Sequence, residues 1–143
     1  MAVNPDIVHE RLVLMREMLE ALDAIGPVTL DRLQRDITVR LATERVFTQL
    51  VELAVAVNNH LIAQSGSVIP KSYRETFPKT AELGAIPEDL AAELAPSAGL
   101  RNILIHDYVA VDRRLFAEAM PIAADLYKRY VAAIASYLSE HAD

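Results

Sequence analysis

The segment that decides the fold runs from residue 36 to residue 67 and reads DITVRLATERVFTQLVELAVAVNNHLIAQSGS. Asp36 is a suitable N-cap, because its side-chain oxygen accepts a hydrogen bond from a backbone N–H of the first turn. Apolar residues then recur at helical spacing on one face, at Val46, Leu50, Leu53, Val57 and Leu61. The run Ser65-Gly66-Ser67 ends this pattern. The segment therefore predicts one long helix from Asp36 to about Gln64.

A second amphipathic helix is predicted on the N-terminal side. Asn4 is a good N-cap, and Pro5 suits the first turn because the N–H it lacks has no helical partner there. Gly26-Pro27 ends the helix, as a glycine cap followed by proline does. A short turn of helix is expected around residues 30–35. The apolar stripe of the first helix is Val8, Leu12, Met15, Leu19 and Leu22.

Two further helical segments are predicted between residues 72 and 108. Ser72 and Glu75 match a capping box, which begins a short helix that stops near Gly84. Pro87 opens the next helical stretch. We expect residues 96–99, which include a proline and a glycine, to interrupt it before a fresh turn carries residues 100–108.

The last helix is predicted to begin at Asp112 and to reach Tyr137. Pro121 is expected to kink this helix rather than end it, because the apolar pattern continues beyond the proline. Several long amphipathic helices joined by short connections predict an all-α, up-and-down four-helix bundle. One or two short helices are added to the bundle, and residues 1–143 form a single domain. The predicted stripe of the last helix is Leu115, Ala119, Ile122, Leu126 and Ala133.

The composition agrees with packed helices and restricts the function. Only three Phe and five Tyr occur in 143 residues, so aliphatic side chains and alanine must make the core. The chain has no cysteine, which excludes disulfides and thiolate metal sites and fits a reducing cytoplasm. The beginning, MAVNPDIVHE, lacks the pattern of a secretory signal, and we expect no membrane-spanning segment.

A net charge of −6 argues against a broad phosphate-binding surface, but not against an enzyme that contacts RNA through a small cationic cleft.

Polar residues that point to chemistry are concentrated in residues 99–108, GLRNILIHDY. Histidine takes or gives a proton near neutral pH, and arginine offers a planar set of donors to phosphate oxygens. Together they are enough for metal-free RNA cleavage in which the ribose 2′-OH is the nucleophile. On an ideal helix Arg101 and His106 lie about 140° apart. Their convergence therefore requires the length of Arg101, a distorted turn or a second chain.

The same segment resembles a known family. The pattern R-x-x-x-x-H, from Arg101 to His106, is similar to the signature of HEPN domains, and its extension to Tyr108 is similar to that of HepT-type toxins. The resemblance covers nearly the whole chain. It includes Arg45, Glu52 and residues 59–62 on the long helix, residues 72–75, and Gly99, Leu100 and Asn102 beside the motif.

This resemblance implies a function, a partner and a set of working residues. It implies the toxin of a type VII-like toxin–antitoxin pair, a homodimeric, metal-independent endoribonuclease that needs no cofactor. Arg101 and His106 would be the catalytic residues, with Asn102 in support. The resemblance also implies a minimal nucleotidyltransferase antitoxin, which would neutralise the toxin by attaching AMP to Tyr108, since added phosphates mask a nearby cation.

Structural alternatives exist for each of these residues. Arg101 is otherwise a surface cation or an ion-pair partner of Asp107 or Asp112, and His106 is otherwise a histidine at the edge of the core, bonded to a backbone carbonyl. Asn102 either orients His106 one turn later or caps the chain after Gly99. Tyr108 is otherwise a half-buried tyrosine with a structural role. For the whole chain, the alternatives are a catalytically idle HEPN module that binds a nucleotidyltransferase, and a plain helical dimerisation protein.

Other charged residues carry weaker signals. His60 lies on the apolar face of the long helix and is interpreted as a core histidine with satisfied hydrogen bonds. Arg113 and Arg114 either contact RNA beside the cleft or begin a solvated helix, and the second is commoner. No metal site is predicted, because the sequence has no H-E-x-x-H motif and no cluster of carboxylates around His106.

Overall fold

The computed structural model describes residues 4–141, which form six α-helices and one 3₁₀ turn. The predicted all-α fold is confirmed, as four long helices and two short ones. The predicted single domain includes residues outside the described range and stays a prediction. The helices are α1 (Pro5–Ile25), α2 (Leu30–Arg35), α3 (Ile37–Gln64), α4 (Tyr73–Glu82), α5 (Glu88–His106) and α6 (Arg113–His141), and the 3₁₀ turn is Tyr108–Ala110.

The four long helices enclose one core. α1 packs on α3 and α6, and α5 also packs on α3 and α6, so the contacts close into a ring. The short helices complete it, α2 against α3 and α6, and α4 against α3 and α5. Every helix contributes to a continuous buried cluster. Because α3 contacts α1, α2, α4 and α5, it is the helix against which the other elements are positioned.

Most helices begin where the sequence places their caps. The Asn4 side chain accepts from the backbone N–H of Asp6, and Asp36 accepts from Val39, each at 3.1 Å. Ser72 Oγ accepts from the N–H of Glu75 at 3.2 Å. Gly26 ends α1 with a φ of 83°, in the left-handed region that glycine adopts without strain. Short polar side chains therefore fix these helix ends locally.

The apolar stripe predicted for α1 is confirmed, and the stripe predicted for α6 is only partly right, because Leu126 is buried and Ala119 and Ala133 are half-buried. All five predicted α1 residues are buried. On α6, however, Leu115 and Ile122 are exposed. The buried face instead carries the aromatic residues, because Phe116 packs edge-on against Phe47 with ring centroids 5.8 Å apart. The buried residues of α6 are Phe116, Ala117, Met120, Ala123, Leu126, Tyr127, Tyr130, Val131, Ile134 and Leu138.

The predicted interruption of α5 is also wrong. The helix runs through Pro96 and Gly99 without a break and ends at His106. Pro96 removes one helical hydrogen bond, but packing on both sides of it keeps the helix intact, through Leu90, Ala91, Leu94, Ala95, Ala98 and Leu104. α6 likewise continues through Pro121, as predicted, and ends at His141 rather than Tyr137.

α3 meets the length and composition of a membrane-crossing helix, contrary to expectation. In the bundle, 61% of its most apolar 18-residue window is buried. The apolar surface that would face lipid is therefore largely used for packing against neighbouring helices, as in the core helix of a bundle.

Candidate functional site

The polar motif lies where α5 ends and the 3₁₀ turn begins. Arg101, Asn102 and His106 belong to the last two turns of α5, and Tyr108 opens the 3₁₀ turn. The turn is held by backbone bonds, with the N–H of Ala110 donating to the carbonyl of Asp107 at 2.9 Å. α3 packs against α5, and side chains of α3 reach the motif.

The Arg101 guanidinium is held from several sides. Its Nη2 donates to Glu52 Oε1 at 2.7 Å, and its Nη1 donates to Asn102 Oδ1 at 3.1 Å. The ring of Tyr73, at the start of α4, lies with its centroid 4.9 Å from Cζ, which is within cation–π range. Gln49 Nε2 donates to the other oxygen of Glu52 at 3.1 Å. The side chain is only 13% exposed, so its position is well defined.

Arg101 keeps hydrogen-bonding capacity for a further acceptor. Two of its five N–H groups have partners, and Nε is buried without one among residues 4–141. The predicted structural alternative, an ion pair with Asp107 or Asp112, is wrong, because the carboxylate that pairs with Arg101 is that of Glu52. Asp112 instead caps α6, accepting from the N–H of Leu115 at 3.2 Å.

His106 is the last residue of α5 and is exposed. Within residues 4–141 its ring makes no hydrogen bond, so the alternative of a core-edge histidine bonded to a carbonyl does not describe it. Asn102 lies one turn earlier. Its side-chain oxygen accepts a hydrogen bond from Arg101, so Asn102 contacts Arg101 rather than His106. The imidazole is open to solvent and to a ligand.

Tyr108 is joined to α3 by a buried carboxylate. Its hydroxyl donates to Glu44 Oε1 at 2.8 Å, and the tyrosine is 40% exposed. Glu44 is only 7% exposed, and its Oε2 is buried with no hydrogen-bond partner in the described part of the chain. The phenol oxygen therefore lies between solvent and a carboxylate of the interior.

Arg101 and His106 are not joined within one chain. Since α5 is continuous, the expected separation of about 140°, with about 7.5 Å along the axis, applies to them. A distorted turn, one of the three ways in which they might converge, is excluded. The other two ways, the length of the Arg101 side chain and a second chain, remain.

The residues of α3 and α4 that contact the motif have no predicted role of their own. Glu52 and Tyr73 were recognised only as part of the resemblance, and Glu44 not at all. The available signal is a carboxylate at Glu44 next to buried positions of α3, because a buried carboxylate needs a partner. The pairing itself joins residues 64 positions apart and depends on how the helices pack.

The surface around the motif is more apolar than basic. Ile103, Ile105 and Val109 are exposed beside it, and Val109 is 99% exposed. A groove between α5 and α6 continues this surface and includes Leu100, Leu115 and Ile122. Among residues 4–141, no three His, Asp or Glu side chains are placed to hold a metal ion.

His60 is only partly the residue that the sequence predicts. It is half-buried on α3, but its Nε2 is buried without a hydrogen bond to any described residue, so the prediction of a satisfied histidine is wrong. Burial, together with the positive charge of Arg11, lowers the pKa of His60. In the described part of the chain, His60 makes none of the side-chain hydrogen bonds of the motif.

A closed bundle of long helices, in which Arg-x₄-His ends α5 and a tyrosine opens the turn that follows, defines a HEPN-type helical protein. Solved structures share this fold. The tri-AMPylated HEPN toxin of Shewanella oneidensis, in complex with MNT antitoxin, superposes with a TM-score of 0.81 at 20% identity, covering 92% of this chain and 98% of that one. The cytosolic protein YutE of Bacillus subtilis gives 0.83 at 19% identity, covering 98% and 94%.

Sequence comparison identifies the family. The family described as Ribonuclease HepT-like matches residues 15–134. The chain is 32% identical over 138 residues to the tRNA nuclease HepT of Aphanizomenon flos-aquae, covering 95% of this chain and 92% of that protein. It is 37% identical over 57 residues to the mRNA nuclease HepT of Shewanella oneidensis, covering 40% and 43%. The chain belongs to the HepT-like ribonuclease family, which confirms the predicted family and enzyme class.

Proposed function

We propose that this chain is the toxin of a type VII-like toxin–antitoxin pair, a metal-independent endoribonuclease that needs no cofactor and cuts RNA at Arg101 and His106. One observation carries the proposal. A guanidinium with free donors is fixed by Glu52 and Asn102, on a helix that ends at an exposed histidine. In a ribonuclease of this family, that is the pair of side chains able to bind a phosphate and move a proton.

In the proposed reaction the substrate supplies the nucleophile. One imidazole takes the proton of the ribose 2′-OH, and the 2′-oxygen bonds to phosphorus while the bond from phosphorus to the 5′-oxygen breaks. A second imidazole gives a proton to that leaving oxygen. The products are a 2′,3′-cyclic phosphate and a 5′-hydroxyl. Arg101 donates to the non-bridging oxygens as their negative charge grows, and Asn102 helps to hold it.

This chemistry favours a homodimer. Each motif has one histidine, and a two-fold pair of motifs facing one cleft would supply both the acid and the base. The exposed Ile103, Ile105 and Val109 beside His106 are apolar residues of the kind that a second chain covers. Because α5 is continuous, Arg101 and His106 lie about 140° apart around the helix of one chain, and a second chain would supply the further histidine.

A minimal nucleotidyltransferase is the proposed antitoxin, with Tyr108 as the residue to which it attaches AMP. Phosphates added there would compete for Arg101 and obstruct His106. The fold is shared with a toxin that is tri-AMPylated and bound to MNT antitoxin, which supports this assignment. We place the chain in the cytoplasm, without a membrane partner, in line with the cytosolic neighbour YutE.

The test compares the purified wild-type chain with Arg101→Ala and His106→Ala on cellular RNA in EDTA, and follows growth when each is induced in a bacterial host. We expect cleavage and growth arrest from the wild type, and a fall of at least about 100-fold in cleavage from each variant. His9→Ala is the matched control, since His9 is exposed on α1, away from the motif. It should cut RNA as the wild type does.

The result that contradicts the proposal is a folded, dimeric wild-type chain that leaves RNA intact. The net charge of −6 then favours the second candidate, an idle HEPN module that binds a nucleotidyltransferase. The dimer has its own test. Val109→Glu should give a folded monomer by light scattering that no longer cleaves RNA, because Val109 is 99% exposed and its replacement leaves the bundle intact.

A further inference from the structure

The contact between Tyr108 and Glu44 is unusual for a resting surface tyrosine. The hydroxyl donates to a carboxylate that is itself more than nine-tenths buried, at 2.8 Å. The other oxygen of that carboxylate has no partner among the described residues. An ionised carboxylate in such a position is costly, since burial removes its hydration and only one hydrogen bond replaces it. The fold therefore keeps a proton acceptor, the Glu44 carboxylate, next to the Tyr108 hydroxyl at some cost in stability.

Tyr108 is distinguished by this contact from the other four tyrosines, all of which lie in the described part of the chain. Tyr127 and Tyr130 are fully buried, their hydroxyls bond to Ser97 and to Ala54 and Asn58, and burial raises the pKa of both phenols. Tyr73 is half-exposed but lies against Arg101. Tyr137 stacks on His141. Tyr108 alone combines an accessible ring with a hydroxyl that donates to a carboxylate.

We propose that Glu44 is the general base for the modification of Tyr108, so that the toxin itself supplies the group that activates its own target residue. The inference rests on the proposed function, because it concerns the transfer of AMP to this tyrosine. The phenol oxygen bonds to the α-phosphorus of ATP, and the bond from that phosphorus to the oxygen of the β-phosphate breaks. Pyrophosphate leaves, and the phenol proton passes to Glu44 Oε1. A phenol is a poor nucleophile while it carries its proton, and an adjacent base removes that obstacle.

The charge balance favours this direction of proton transfer. Accepting the proton turns Glu44 into a neutral acid, which is far easier to bury than a carboxylate. It also removes the negative charge that would otherwise lie beside the new phosphodiester. The hydrogen bond of the unmodified state is lost in any case, because the esterified oxygen of Tyr108 has no hydrogen to donate. Protonated Glu44 restores it by donating to that oxygen or to the phosphate.

The access of the nucleotide is compatible with this geometry. The Tyr108 side chain is 40% exposed, so ATP bound to a transferase can approach from solvent while Glu44 contacts the hydroxyl from the interior. The 3₁₀ turn is fixed by backbone bonds at Ala110 and Val111, which keeps the hydroxyl near the carboxylate. A positioned base of this kind contributes about 10²–10⁴-fold to a rate.

The experiment measures the initial rate at which label from α-labelled Mg·ATP enters the full chain, using the minimal nucleotidyltransferase encoded beside it. Glu44→Gln keeps the size and the hydrogen-bond acceptor but does not take a proton. We expect its labelling rate to fall at least about 10-fold, while its cleavage of RNA is unchanged. Tyr108→Phe sets the background. The matched control is Glu17→Gln, the same change at an exposed residue of α1, which should be labelled at the wild-type rate.

Two outcomes overturn the assignment of Glu44. One is a Glu44→Gln chain labelled as fast as the wild type, which would give the proton to a group of the transferase. The other is a Glu44→Ala chain that is labelled slowly while Glu44→Gln is labelled at the wild-type rate. That result would mean that Glu44 positions Tyr108 and does not take its proton. A Glu44→Gln chain that fails to fold is replaced by Glu44→Asp, which keeps the base and should retain labelling above that of Glu44→Ala. A wild-type chain that cuts RNA but takes up no label instead overturns the modification step of the proposed function.

Discussion

Two carboxylates of α3 hold the two ends of the motif in different ways. Glu52 is 34% exposed, and both of its oxygens are bonded, one by Arg101 and the other by Gln49. Glu44, eight residues earlier, is 7% exposed and has one oxygen bonded, by Tyr108. Both oxygens of Glu52 have hydrogen-bond partners, and its side chain is partly solvated. Glu44 is buried, and one of its oxygens has no partner among the described residues. The difference separates a carboxylate that fixes a cation from one that retains the capacity to accept a proton.

The two contacts also differ in what they contribute to stability. A partly exposed ion pair contributes little net free energy, because solvent screens it and its side chains lose freedom. Its main effect is therefore geometric, since it keeps the Arg101 guanidinium in one place. A hydrogen bond to a buried carboxylate contributes more, because losing it leaves a desolvated charge with no partner. The contact of α3 with Arg101 therefore mainly positions the proposed catalytic residue. Its contact with Tyr108, the proposed modification residue, contributes more to the free energy of unfolding.

The largest expected effect comes from Arg101→Lys, which tests whether Glu52 matters because it orients a guanidinium. Lysine keeps the charge but has no planar fork with which to contact Glu52, Asn102 and a phosphate together. We expect kcat/KM on RNA to fall about 100-fold, the size of effect seen when one oxyanion donor is lost. Arg74→Lys, an exposed arginine on α4, is the matched control and should cut normally. Full activity of Arg101→Lys would show that charge alone suffices.

The second prediction compares the two contacts directly by double-mutant cycles. Glu44→Gln combined with Tyr108→Phe should give a coupling free energy of about 1.5–3 kcal/mol, as for hydrogen bonds to charged groups. Glu52→Gln combined with Arg101→Gln should give about 0–1 kcal/mol. Both are measured by urea unfolding at one fixed protein concentration, since a dimer's stability depends on concentration. Equal couplings, or a larger value for the Glu52 pair, would contradict the difference that burial predicts.

The sequence predicted those parts of the fold that depend on local chemistry. Caps at Asn4, Asp36 and Ser72 and the stripe of α1 follow from short-range hydrogen bonds and helical period, and all are confirmed. The errors occur where tertiary packing decides. On α6 the face with the aromatic residues is buried, which the predicted stripe missed, because their rings and hydroxyls find partners on α3 and α5.

The same distinction applies to the candidate site. The spacing of Arg101, His106 and Tyr108 lies within one helix and the turn after it, so the motif was visible in the sequence. Their partners Glu52 and Glu44 lie 49 and 64 residues away, on a different helix. No local pattern gives the register in which α5 packs on α3. The residues of the motif were therefore predictable from the sequence, and the α3 carboxylates that contact Arg101 and Tyr108 were not.

The smallest expected effect concerns Gly99, where the sequence predicted a break and α5 continues. Gly99 is exposed, is helical and has nothing within 4 Å of an added Cβ. Gly99→Ala should therefore stabilise the chain by about 0.5–1 kcal/mol in urea unfolding, because alanine loses less backbone freedom in a helix. Cleavage should be unchanged, in contrast to the substitutions at Arg101 two residues later. A fall in cleavage together with a rise in stability would contradict this expectation. It would mean that RNA or a second chain occupies the space beside Gly99 during the reaction. Gly99 would then belong to the site as well as to the helix.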